Sequence, residues 1–431
     1  NRNLPCSGGG FFRLLPYGYF RWAIGKVNRE EQQSTIFYFH PWEIDTDQPR
    51  QDGLSAKTRF RHYVNISRMA PRLRRMLKDF SWDRMDRVFD VAVKELDPAG
   101  IAAWDAFVES CPDATFYHRA GWKEVIEKTF GHRCYFLQAE RDGEIRGVLP
   151  LVLAKSLIFG KSLVSTGFTV GGGPAVLDRE ALAALDDRAI EIAETHNIDA
   201  IEYRGKTPLH DDWAHKTGLY AGFRREIESD AEKNMLAIPR KQRAMVRKGI
   251  KTGLESEIET DPARLYHIYA VSVRNLGTPV YPRRYFDHLM RVFGDVLDIV
   301  TITKDGRAVA SVLNFYFRDE VLPYYGGGLT EARALAANDF MYWEVMRRAG
   351  ERGYRWFDFG RSKEGTGAYS FKKNWGFEPE PWTYEYYLRT GGEIPEINPL
   401  NPKYRYFIAA WKKMPVGLAK RLGPLIVRGI S

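Results

Sequence analysis

FDFGRSKEGTGAYSFKKNWGF, residues 357–377, decides how this 431-residue chain is read. The stretch begins as a strand through Trp356, Phe357 and Phe359, breaks at Gly360, and crosses a polar loop from Arg361 to Gly367. It resumes as an aromatic and basic segment carrying Tyr369, Phe371, Lys372, Lys373 and Trp375. A strand feeding a flexible loop that sets lysines beside rings suits an anionic or carbonyl-bearing substrate. A surface turn followed by an ordinary amphipathic helix would read the same way.

Outward from this stretch, one order of elements occurs twice. Residues 88–223 read as a strand, two helices, a hairpin turning at Asp142-Gly143, the Gly-rich loop Gly167–Pro174, a helix and a strand. Residues 224–395 repeat two helices, a hairpin turning at Asp305-Gly306, the Gly-rich Gly326–Gly328, a helix and the strand into Phe357. This is a duplication of topology without evident sequence identity. An α+β fold of two tandem lobes follows, preceded by residues 1–87 and followed by the basic amphipathic tail 396–431.

The stretch 357–377 resembles the signature of the FemAB family, aminoacyltransferases and exopolysaccharide-associated relatives, in which a DFG strand precedes a loop and an F-K-x-x-W/F-G segment. The resemblance covers residues 90–390 and implies two lobes of the GNAT acyltransferase type. It implies an activity too: transfer of an aminoacyl or acyl group onto an amine of a cell-envelope or exopolysaccharide precursor. In that family the F-K pair is implicated in transfer, which places Phe371 and Lys372 as catalytic, with the Lys372 charge balancing the reacting ester. Arg361, Asp358, Lys373 and Trp375 accompany them as substrate-binding candidates. Asp358 alternates with apolar Phe357 and Phe359, so a role in fixing the loop stands beside a role as general base, for which Glu364 is the other acid at hand.

The run PRKQRAMVRKGIK, residues 239–251, carries Arg240, Lys241, Arg243, Arg247, Lys248 and Lys251 with no acid. On a helix, Arg240, Arg243, Arg247 and Lys251 share one face. Six cations without an i,i+4 carboxylate repel one another, so either the face is simply solvated or a polyanion neutralises it. A similar stretch opens the second lobe of FemAB relatives beside the acceptor site. The resemblance thus implies a nucleotide-sugar, a lipid-linked glycan precursor or tRNA as partner. The Q/R-x-x-G-x-G/A loop that cradles coenzyme A in ordinary GNAT enzymes is missing where the chain reads GGGLTEARALAANDF, residues 326–340. No cofactor is expected; aminoacyl-tRNA or another activated acyl donor is the co-substrate. A non-catalytic module binding anionic glycan or lipid, and an acyl-CoA-dependent GNAT acetyltransferase, are the alternatives.

Residues 8–85 look like the C-terminal end of exosortase-associated NodB-like polysaccharide deacetylases, in GGGFFRLLPYGYFRW, FYFHPWEID and RFRHYVNISR…RLRRML. His40 matches an active-site histidine of those enzymes, but the aspartate motif and the H-x-x-x-H pair are absent. Zinc hydrolysis wants three protein ligands and a water. His40 therefore reads as a remnant, and no metal is expected.

Charge is uneven. Residues 1–88 carry 16 Lys/Arg against 9 Asp/Glu, and residues 396–431 carry seven Lys/Arg against Glu396 alone, within a chain of net +9. Both ends favour anionic partners. Three cysteines, an odd number without metal-ligand spacing, fit a reducing cytoplasm. No uncharged apolar run reaches the roughly 18 residues of a membrane span. A cytoplasmic protein, associated with a membrane surface through its tail or packing that tail on its own body, is the expectation.

Overall fold

The computed structural model describes residues 7–30, 33–82, 85, 91–156, 160–391, 394 and 405–429. The chain divides into two compact units, Asn1–Ala92 with Arg141–Glu144, and Val93–Glu140 with Ile145–Ser431.

The first unit is helical: α1 (Gly9–Leu14), α2 (Tyr17–Glu30), α3 (Ala56–Tyr63) and α4 (Ile66–Asp79). Phe12, Phe20, Ile24, Met69 and Met76 form its core. Apolar periodicity predicts one long helix through residues 54–80, whereas the structure breaks it at Asn65. That residue adopts φ 52° and donates its side-chain amide to the Arg13 carbonyl at 2.9 Å. Residues 33–40, which enter the β-rich run STIFYFHPWEID of residues 34–45, are extended but pair with no strand among the described residues. A bond from Gly9 N–H to the Tyr38 carbonyl, 2.9 Å, ties them to α1. His40 is exposed, with Nδ1 3.2 Å from the Tyr38 hydroxyl and its ring stacked on Trp42. Among the described residues no group of three His, Cys, Asp or Glu side chains is placed to hold a metal ion.

The second unit is built on one continuous sheet. Its strands are β1 (Ala92–Glu95), β2 (Cys134–Arg141), β3 (Glu144–Ser156), β4 (Gly160–Ser165), β5 (Ala175–Val176), β6 (Ala200–Gly205) and β7 (Ala214–Glu226). They continue with β8 (Glu255–Glu259), β9 (Leu297–Lys304), β10 (Arg307–Phe317), β11 (Glu320–Gly328), β12 (Trp356–Lys363) and β13 (Glu380–Leu388). The order is β1-β2-β3-β4-β6-β13-β7-β12-β11-β10-β9-β8, with β5 beside β3. Both expected hairpins form, and their turns take the left-handed conformations that Asp-Gly tolerates: Asp142 and Gly143 at φ 53° and 81°, Asp305 and Gly306 at 50° and 76°.

Helices α5 (Ile101–Ser110), α6 (Gly121–Phe130) and α7 (Arg179–Thr195) belong to the first lobe. Helices α8 (Ala231–Ala237), α9 (Arg240–Lys251), α10 (Ala263–Leu276), α11 (Arg283–Phe293), α12 (Ala332–Leu335), α13 (Ala337–Glu351) and α14 (Gly367–Asn374) belong to the second. The tail forms α15 (Arg405–Lys413) and α16 (Val416–Val427). One aromatic core joins the lobes, with Phe116 stacked on Phe315 at 4.4 Å and Trp122 against Phe293 at 5.2 Å.

The lobes also exchange strands. β13, last in sequence, enters between β6 and β7, while β7 lies beside β12 of the second lobe. A lobe boundary drawn at residue 223 thus falls inside β7. Each lobe keeps one parallel pair that soon separates. β4 meets β6 over Ser162–Val164, and β11 meets β12 only at Glu320↔Trp356 and Val321↔Phe357. Beyond Phe357, the edge of β12 that faced β11 has no strand on it among the described residues. The candidate site lies at that opening.

Candidate functional site

β12 bulges where it loses β11. Its register against β7 jumps between Asp358↔Arg224 and Arg361↔Gly222, which leaves one residue extra on β12. Gly360 sits at φ 66°, a conformation that glycine adopts at no steric cost. The Asp358 carboxylate accepts the Gly360 N–H at 2.6 Å and fixes the bulge from inside.

The carbonyls of the bulge need donors, and Lys372 supplies them. Thr366 caps α14 by accepting the Tyr369 N–H at 3.3 Å. From the last turn of that helix, the Lys372 ammonium donates to the carbonyls of Phe359, Gly360 and Arg361 at 2.6, 3.1 and 3.2 Å. All three N–H groups are thereby committed. Burial, assisted by the Arg361 charge and opposed by Asp358, pushes the Lys372 pKa down to about 7. Its neighbour Phe371 packs on Tyr342 and Trp375, with ring centroids 5.6 and 6.1 Å apart.

Carboxylates crowd the other side of the bulge. Arg224 reaches from β7 to Glu320 at 2.6 Å and lies over the Trp356 ring at 3.8 Å. Burial first, then the nearby Asp358, raises the proton affinity of Glu320. Asp358 is raised by burial as well, against the pull of the Gly360 N–H, Lys206 and Lys372. The buried Tyr117 hydroxyl also lies within the field of both acids, and burial above all raises its pKa.

Arg361 points into a box of rings. It donates to the Tyr384 hydroxyl, stacks over Tyr220 at 4.0 Å, and feels the charge of Arg204 from the first lobe. Arg204 is itself held by Glu202 at 2.6 Å and by the Thr169 carbonyl at 3.2 Å. The Gly-rich stretches prove to be packing devices. A Cβ on Gly172 would lie 2.3 Å from Thr166, and one on Gly327 would lie 2.4 Å from Ser272. Gly326–Gly328 end β11 and are not an anion-cradling loop.

Trp375, expected among the substrate-binding residues, is corrected: it is fully buried and has no surface to offer a ligand. Its indole N–H donates at 3.1 Å to Asp339 of α13. Gln242 of the basic helix donates to the same carboxylate. The signature and α9 are therefore bolted to one buried acid that sequence reasoning missed. Lys373 is exposed, with its ammonium 6.0 Å from the Tyr369 ring centre.

Helix α9 turns Gln242, Val246 and Gly249 inward. Arg240, Arg243, Arg247, Lys248 and Lys251 line an open groove of about 560 Å³ on the outer face. Arg243 is spent locally, donating to the Leu236 and Ile238 carbonyls at 3.0–3.2 Å. Arg240, Lys241, Arg247 and Lys248 make no ion pair among the described residues. This groove is lined by α9 alone, so the Lys372 cluster is a separate feature.

A second ionic cluster lies in the first lobe. His210 bridges Asp186 at 2.9 Å and Glu385 at 3.2 Å, with Trp213 stacked on its ring at 4.2 Å. His215 stands 3.7 Å from Glu385, and the Tyr203 hydroxyl donates to Asp186 at 2.8 Å. Burial would lower the His210 pKa, but the two carboxylates win and push it up from 6.5 to about 9. A raised pKa means the imidazolium contributes stability fully below 6.5, and that contribution disappears as pH rises through about 9. Melting temperature is expected to fall over that window in the wild type and to stay flatter in His210→Gln. Equal pH profiles for the two would refute the bridge.

Residues 240–373 match the family described as "Acetyltransferase (GNAT) domain", and residues 1–90 match "Domain of unknown function (DUF3473)". Among solved structures, FemX superposes with a TM-score of 0.56 at 18% identity, over 74% of this chain and 100% of that one. The fold is that of FemX. Two others match less closely. The C-terminal domain of a putative lysylphosphatidylglycerol synthetase from Agrobacterium fabrum gives TM-score 0.46, 13% identity, and 67% and 91% coverage of this chain and that one. A tandem GNAT protein from the clavulanic acid biosynthesis pathway gives 0.45, 14%, and 70% and 100%. No curated protein matches significantly. The chain thus carries the FemX fold over about three quarters of its length, and residues 240–373 within it match an acetyltransferase domain by sequence.

Proposed function

We propose that this protein is an N-acyltransferase of FemAB type, moving an aminoacyl or other activated acyl group onto an amine of a cell-envelope or exopolysaccharide precursor. The observation that carries the reading is the Lys372 ammonium, fixed at the β12 bulge beside Arg361 and the Asp358–Glu320 carboxylates. A neutral acceptor amine attacks the acyl carbonyl, the C–N bond forms, and the tetrahedral intermediate collapses as the bond to the leaving group breaks and an N–H proton passes to the departing oxygen or sulfur. The attacking ammonium must shed a proton first, and a carboxylate of raised proton affinity is suited to take it. Lys372 has no N–H to spare, so it acts on the developing oxyanion as a fixed charge in a poorly solvated place. Positioning supplies the rest.

The free cations of α9 fit the phosphates of a nucleotide-sugar, a lipid-linked glycan or tRNA. Replacing Arg240, Lys241, Arg247 and Lys248 with Gln is expected to weaken binding of such a ligand and to flatten its salt dependence, because each neutralised phosphate releases counterions. An unchanged affinity and salt slope would make the face merely solvated. Arg243 is left out of this set because its guanidinium is occupied by carbonyls.

The donor is proposed to be aminoacyl-tRNA, since the strand-to-helix turn after Gly328 lacks a coenzyme A loop. The acetyltransferase description of residues 240–373 favours acyl-CoA as the second reading. Competition between an aminoacyl-tRNA analogue and coenzyme A for the protein separates the two. The deacetylase-like residues 8–85 support an amino-sugar acceptor by association, since deacetylation of N-acetyl sugars yields free amines.

A further inference from the structure

The tail divides its apolar residues between two faces. On α16, Ala419, Gly423 and Val427 are buried, and a Cβ at Gly423 would meet the Val280 carbonyl at 2.4 Å. On α15, Trp411 is buried and donates its indole N–H to the Thr278 carbonyl at 3.0 Å. His132 bonds the Arg428 carbonyl at 2.9 Å and pins the end of the tail. The tail is therefore docked on the body, with Pro424 inside α16.

Docking leaves a second apolar stripe unused. Leu418, Leu422 and Leu425 of α16 are exposed, Leu425 by 73%. At 100° per residue these three fall within about 60° of arc, on the side of the helix away from Ala419, Gly423 and Val427. Tyr406, at the start of α15, is 78% exposed, and Leu276, at the end of α10, is 70% exposed. Both tail helices pack on α10. Residues 405–429 hold six Lys/Arg and no Asp or Glu. Of these, Lys412, Lys413, Arg421 and Arg428 are exposed and make no side-chain ion pair among the described residues.

We infer that this face rests on the surface of an anionic lipid bilayer. Leucine and tyrosine side chains gain by entering the acyl boundary, while lysine and arginine at the rim meet lipid phosphates. The charge chooses the occupant: a second copy of this chain would set two acid-free basic faces against each other. No helix of the described residues is long and apolar enough to cross a membrane. The inference is independent of the catalytic proposal.

The full chain is sedimented with vesicles of neutral phosphatidylcholine and with vesicles holding about 30 mol% phosphatidylglycerol. Binding is expected to the anionic vesicles, about tenfold or more above neutral ones, and to be largely lost in about 0.5 M NaCl. Leu422→Glu/Leu425→Glu should cut it about tenfold or more. The replaced side chains are exposed, so the melting temperature should stay within about 2 °C of wild type. Lys412→Gln/Lys413→Gln/Arg421→Gln should reduce binding to anionic vesicles only. Absence of binding to either vesicle, equal binding to both, or full binding by the leucine variant would each overturn the inference. The first of these would point to an acidic protein as the occupant.

Discussion

Lys372→Ala is expected to cut turnover by roughly 10²–10³, the usual cost of losing one oxyanion-stabilising group. Affinity for substrates should change far less, because stabilisation confined to the transition state appears in kcat and not in KM. The structure adds a stability term. Removing the ammonium leaves three bulge carbonyls without their donor, at a cost of about 1–3 kcal/mol. The two effects separate experimentally, since turnover can be measured well below the variant's melting temperature. Lys372→Arg should restore little, because a planar fork cannot place three donors where one ammonium sits. The pH profile gives an independent reading. With its pKa pushed down to about 7, Lys372 loses its charge as pH rises through that value, so the wild-type rate should carry a falling limb there. The limb should be absent from Lys372→Ala. Equal turnover in the two proteins, with donor and acceptor confirmed, would remove Lys372 from the chemistry.

Trp375→Ala should be among the most destabilising single changes in the second lobe, about 3–5 kcal/mol. The ring is fully buried among Tyr342, Phe359 and Phe371, and its N–H satisfies Asp339. Trp375→Phe fills most of the space but leaves that carboxylate with Gln242 as its remaining side-chain donor, so about 1–3 kcal/mol is expected. Chemical denaturation measures both. If Trp375→Ala keeps wild-type stability and loses ligand affinity instead, the tryptophan contacts ligand after all.

The architecture was legible because its punctuation is local. The Asp-Gly turns, the helical apolar stripes and the repeated order of elements all depend on residues close in sequence, and within the two lobes each appears where the pattern puts it. What the pattern could not show is long-range pairing. The insertion of β13 between β6 and β7 joins segments more than 150 residues apart, although the alternation of Trp382, Tyr384 and Tyr386 marks β13 as a strand. The candidate site was legible in part. The string 371–375 pointed to Lys372, but not to the ammonium's three carbonyl partners, which exist only because β12 bulges. Glu320, Arg204 and Asp339 carry no local signal. A glutamate opening a hairpin strand, an arginine on a strand and an aspartate on a helix are ordinary until tertiary packing buries them. Residues 33–40 fail in the opposite sense: their composition asks for a strand, and no partner strand among the described residues meets them.

The most direct test of the acyl-transfer proposal is product mass. Purified protein is incubated with a pool of aminoacyl-tRNAs, or with acetyl-CoA, and with UDP-glucosamine, whose sugar carries a free amine. The acceptor is then analysed by mass spectrometry. Amide-linked gain of an amino acid from the tRNA pool, slowed by roughly 10²–10³ with Lys372→Ala, is the predicted result. Binding of UDP-glucosamine without mass gain from either donor would contradict the proposal and leave a protein that recognises anionic glycans without transforming them.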